Sequence, residues 1–171
     1  MNIRIGSAAG LAILAGIVPG GPASAATGDT SSAAGRAAGK VVSPIVLTHT
    51  AGATLSFGTF TTGTGGKVDV STSGIGTVTR TVVFVPGLSV TSADQFTLTG
   101  GKRQTFSVVT TGGAVTNGLN TMTFTTTPSS TSGSTSTTGT FSFTVGGKLT
   151  VAGGESGGQY TGTYTATVAY N

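Results

Sequence analysis

His49 is the only histidine and cysteine is absent. Nucleophilic catalysis needs a nucleophile, a base and a group that orients the base. Serine and threonine are abundant, but none lies in a Gly-x-Ser-x-Gly elbow flanked by a strand and a helix. His49 follows an apolar run and reads as a solvated loop residue rather than a base. Asp29, Asp69, Asp94 and Glu155 are the whole acidic supply. Asp29 sits in a small polar stretch, Asp69 faces out of an alternating run, and Asp94 reads as the end of a turn. No motif marks Asp94 and Glu155 as a glycosidase pair. One histidine and dispersed carboxylates do not make a zinc or calcium cluster. The triples Gly65-Gly66-Lys67, Gly100-Gly101-Lys102 and Gly146-Gly147-Lys148 lack the earlier glycine and the following Ser or Thr of a phosphate loop. The formal charge of +4 comes from scattered Lys and Arg, with no basic run and no Trp, which argues against nucleic acid as a partner. These residues predict no enzyme and no cofactor.

The elements that position them begin after a leader. Met1 to Arg4 carries one positive charge, Ile5 to Val18 is apolar, Pro19-Gly20-Gly21-Pro22 breaks the run, and Ala23-Ser24-Ala25 has the form of a cleavage site. This predicts a signal peptide over residues 1–25, with export to the periplasm, cell surface or exterior and no integral membrane segment after cleavage. Residues 26–40 have no large apolar side chain and read as a flexible arm.

From residue 41 the pattern is short alternating runs, the mark of an all-β domain over residues 41–171. Val41 to Thr48 is extended and apolar but contains Pro44, which suits an edge strand. Lys67 to Ser71 places Val68 and Val70 inward. Thr77 to Val85 reads as one strand. Asp94 to Thr99, Thr105 to Val109, Thr121 to Thr126 and Thr140 to Val145 place Phe96, Leu98, Phe106, Val108, Met122, Phe124, Phe141 and Phe143 inward. Tyr160 to Tyr170 alternates most cleanly: Tyr160, Tyr164, Val168 and Tyr170 on one face, Thr161, Thr163, Thr165 and Thr167 on the other. Gly65-Gly66, Gly100-Gly101, Gly112-Gly113 and Gly146-Gly147 read as turns between runs, and Thr125 to Thr140 as a long exposed loop. About eight to ten short strands in this length point to an antiparallel β-sandwich.

Leu55-Ser56-Phe57-Gly58, Phe96-Thr97-Leu98-Thr99-Gly100, Val145-Gly146-Gly147-Lys148-Leu149-Thr150-Val151 and Gly158-Gln159-Tyr160-Thr161-Gly162-Thr163-Tyr164, followed by Val168 and Tyr170, stand in an order that resembles the domain-of-unknown-function 4402 family of bacterial secreted proteins. The ending is also similar to that of archaic chaperone–usher pilins and spore-coat-U-like proteins. That resemblance implies an immunoglobulin-like, pilin-like sandwich. It also implies a structural subunit of a surface fibre that polymerises by donor-strand complementation, with a periplasmic chaperone and usher or further copies of itself as partners. The segment available as a donor strand is residues 41–48, through Val41, Ile45 and Leu47. Tyr160, Tyr164, Val168 and Tyr170 would be core or groove wall. The alternative is a self-complete secreted sandwich that binds carbohydrate or another surface ligand, with the tyrosines as its platform if they face solvent.

Overall fold

Side chains of an extended chain point to alternate faces, so a period of two in the sequence becomes one buried and one solvated face of a sheet. In the structure, a computed structural model that describes residue 30 and residues 32–171, thirteen strands follow that rule and no helix forms among the described residues. The expected signal peptide lies outside the described residues, as does part of the expected arm. Residues 32–40 are exposed and carry no regular secondary structure.

Nine strands build the main sheet system: β1 (Val46–His49), β4 (Gly66–Val70), β5 (Gly76–Arg80), β8 (Asp94–Thr99), β9 (Thr105–Thr116), β10 (Thr121–Pro128), β11 (Ser132–Ser134), β12 (Thr140–Val151) and β13 (Thr161–Tyr170). Two short pairs complete it: β2 (Ser56–Phe57) with β7 (Thr91–Ser92), and β3 (Phe60–Thr61) with β6 (Val83–Phe84). Every pairing is antiparallel. β12 is the spine. Its first half pairs β8, and Leu149 in its second half faces Val68 of β4 and Phe124 of β10. Phe124 also faces Gly113 of β9, so β10 carries the chain from one layer to the other. β9 continues the second layer by pairing β13. Among the described residues β1 pairs only β8 and β13 pairs only β9, so each has one edge that none of them pairs.

The inward positions close between the layers. Leu98, Phe106, Val108, Phe143 and Val145 form one cluster, and Phe57, Val68, Val70, Val82, Met122, Phe124, Leu149 and Val151 form the other. Tyr164 packs against both. Fully buried apolar side chains such as Phe106, Leu98 and Val68 each contribute about 1.5–3 kcal/mol.

Three sequence expectations are revised. Gly112-Gly113 and Gly146-Gly147 are not turns but lie within β9 and β12. A Cβ at Gly112 or Gly146 would strike the backbone of a neighbouring strand, so glycine serves close approach there. The Thr125–Thr140 run is not one loose loop. It holds the end of β10 and all of β11, and its Thr135 is buried, donating to the Gly101 carbonyl (2.6 Å) and accepting from Gln104 N (2.9 Å). The single strand expected over Thr77 to Val85 is broken after Arg80, whose φ of 60° takes the chain out of β5 before β6 begins.

Candidate functional site

Tyrosines of β13 reach β8 and the segment that precedes β1. The inward parity that buries Leu98 also turns Phe96 and Asp94 inward from β8, and the parity of Leu47 sets His49 of β1 beside them with its ring half exposed. Asp94 is only 5 % exposed. Its Oδ1 lies 2.6 Å from His49 Nε2 and accepts from Gln95 N (2.8 Å). Its Oδ2 accepts the hydroxyl of Tyr164 from β13 (2.7 Å). The Phe96 ring lines this cluster, edge-on to both His49 and Tyr164 and stacked on Phe143 at 5.5 Å. A buried carboxylate is therefore satisfied by donors from three segments, as a low-dielectric interior demands.

Burial, the hydrogen bond to Asp94 and the negative charge of that carboxylate, in that order, push the Tyr164 phenol above its usual value. The phenol is thus held as a neutral donor. A raised folded-state pKa contributes stability that is present below the unfolded value of about 10 and is lost as the pH rises above it. Tyr164→Phe is expected to cost about 1–3 kcal/mol at neutral pH, since the bond is to a charged acceptor. It should also flatten the loss of stability above about pH 10 relative to the parent chain. Urea unfolding at neutral pH and at several values above 10 checks both. Equal slopes in the two proteins would show that the Tyr164 phenol does not set the alkaline loss of stability.

At the other end of β1, the Tyr170 hydroxyl accepts from Gly101 N (2.6 Å) and donates to the Ser43 carbonyl (3.0 Å). Two tyrosines of β13 therefore bracket the first strand. Tyr160 is engaged separately, donating to the Ser156 carbonyl (2.8 Å). All three rings are half-buried on the inner face with Val168, and the threonines of β13 are exposed on the outer one. A sugar platform needs rings presented to solvent, whereas these three hydroxyls are bonded within the domain.

The candidate donor residues divide. Ile45 and Leu47 pack against the core, with Leu47 opposite Leu98. Val41 is 97 % exposed. The remaining acidic side chains of this unit have local work. Asp69 pairs with Lys148 across β4 and β12 (2.8 Å), and Glu155 accepts from Ala152 N and Gly153 N to close the loop after β12. The Asp94–Glu155 pair weighed from the sequence is thus split between two separate networks.

The His49–Asp94–Tyr164 convergence is the part that sequence reasoning missed. Its signal was present in the parity of Asp94 with Phe96 and Leu98, which places the carboxylate in the interior rather than at a turn.

The family model described as domain of unknown function (DUF4402) matches residues 47–170. The match covers most of the chain, which belongs to that family. No curated protein and no solved structure matches the chain.

Proposed function

We propose that this member of the DUF4402 family is an exported, non-catalytic structural subunit of a bacterial surface fibre, in which the segment bearing Val41, Ile45 and Leu47 is exchanged between copies. The observation that carries the reading is the bond inventory of β1. It is four residues long, pairs with one strand among the described residues, and follows residues 32–45, which form no strand or helix. Exchange of such an element between identical copies remakes the same contacts, so its place in its own sheet is the closed form of the same interaction. A donated Ile45 and Leu47 would pack where the chain's own do, in a groove lined by Leu98, Val168 and Tyr170. The carboxylates Asp69, Asp94 and Glu155, each engaged by partners within the domain, support a structural rather than a catalytic role.

The mature chain is expected to form concentration-dependent oligomers, read by light scattering and negative-stain microscopy. Deleting residues 26–48 should cost about 2–4 kcal/mol from the lost apolar contacts, and a peptide spanning residues 41–49 added in trans should restore the loss. A mature chain that stays monomeric at every concentration, or a deletion that leaves stability unchanged, would sink the proposal.

A further inference from the structure

Hydrogen-bonded strands place directly opposed residues on one face, and the outer face of β10, β9 and β13 can be read rank by rank. Thr121, Thr116 and Thr161 form one rank across the three strands; Thr123, Ala114 and Thr163 form the next; Thr111 and Thr165 follow after a bulge. All are exposed. Ranks are about 4.8 Å apart between strands and about 6.7 Å apart along them. No charged residue occurs anywhere in β9, β10, β11 or β13. The charged strand residues, Lys67, Asp69, Arg80, Asp94 and Lys148, belong to β4, β5, β8 and β12. A solvated sheet beside an open edge normally carries charges that keep copies apart. Among those charges Lys148 comes nearest the threonine face, opposite Thr125 of β10, and it is paired with Asp69.

We infer that this neutral threonine face is a self-contact surface through which fibres associate side by side; this rests on the fibre reading above. A chain of net positive charge repels its copies wherever charged faces meet. The β9–β10–β13 face is where two copies approach without opposing like charges. Ranks of small neutral side chains, threonine but for Ala114 and Val109, present the same chemistry to a second copy across a two-fold axis. Three strands of about ten residues offer roughly 500 Å², less than the roughly 800 Å² per partner of a stable pair. A single contact of this size is too weak to hold two subunits, but a line of identical contacts along a fibre gains by multivalency. Bundling is therefore a property of the multivalent display and absent from free subunits.

The test displays the mature chain on beads through an N-terminal biotin, so that multivalency does not depend on fibre formation. Beads bearing the parent chain should clump. Thr123→Lys with Thr163→Lys, two exposed side chains flanking Ala114, should lower the clumped fraction at least tenfold at low salt, with the thermal midpoint unchanged. Thr99→Lys, which adds charge to the opposite layer, should clump as the parent does. The inference is overturned if the double-lysine beads clump as well as the parent. It is equally overturned if parent beads stay dispersed, including the case in which they coat cellulose or chitin particles and the face belongs to a neutral glycan. Because no fibre is needed, the absence of fibres sinks only the proposed function, whereas fibres that form while beads stay dispersed sink only the bundling.

Discussion

Gly146→Val is expected to abolish the native fold, and Gly146→Ala to lower stability by about 1–3 kcal/mol, or roughly 10 °C in thermal midpoint at the upper end. Gly146 sits in the middle of β12, where that strand passes close to the end of β4. A Cβ there would strike the Val70 carbonyl oxygen and lie 2.7 Å from the carbonyl carbon of Ser71. These are backbone atoms of a paired strand, so no side chain can rotate out of the way. Relief has to come from separating β4 from β12, which carries Val68 and Leu149 out of contact. Gly157→Ala is the control, since an added Cβ meets nothing within 4 Å; it should shift stability by no more than about 0.5 kcal/mol. Urea midpoints followed by tyrosine fluorescence or circular dichroism rank the three variants. A Gly146→Ala protein as stable as Gly157→Ala would mean that β4 and β12 can part without cost.

That glycine marks a boundary in what the sequence makes legible. Alternation is a local property, and where it is regular it sets the buried face: Val68 and Val70 in β4, Phe106 and Val108 in β9, and Phe143 and Val145 in β12 are buried as their parity demands. Gly-Gly pairs carry no such local information. At Gly65 the pair provides the positive φ of a turn, whereas at Gly112 and Gly146 it provides room for another strand. The two uses differ only in what lies opposite, which tertiary structure alone decides. The Ser/Thr run misleads for a related reason. Its polarity fits a loop, but Thr135 is buried because two backbone groups of a distant turn, at Gly101 and Gln104, need a partner. The candidate site was half legible. Parity placed the tyrosines of β13 inward, yet the joining of Tyr164 to His49 through Asp94 depends on the pairing of β1 with β8 and on the packing of β13 across the core, neither of which is written in a local pattern.

Asp94→Ala is the second large effect, expected at about 2–4 kcal/mol. The carboxylate accepts three hydrogen bonds. Bonds to a charged group contribute about 1.5–3 kcal/mol each, but they share one acceptor and do not add. Removing it leaves the half-buried Tyr164 hydroxyl without a partner beside Phe96 and Phe124 and frees the end of β1 at His49. Asp94→Asn should be milder, because its amide oxygen still accepts from Tyr164 and its NH2 can donate to a His49 that has changed tautomer, so that only the bond from Gln95 N is lost. A double-mutant cycle of Asp94→Ala with Tyr164→Phe should be strongly non-additive, with a coupling of about 1 kcal/mol or more. Additive losses would show that the two side chains act independently. The same variants bear on strand exchange. In an exchanged assembly the neighbour's His49 would meet Asp94 in the same geometry, so the cluster stabilises closed and exchanged forms alike. Asp94→Ala is thus expected to leave the monomer–oligomer ratio nearly unchanged while shortening the time taken to reach it, since β1 must leave its own sheet before it can enter another. Mixing two differently labelled populations and following the appearance of mixed oligomers measures that time directly. An exchange rate equal to that of the parent chain would show that His49 and Asp94 do not hold the first strand in place.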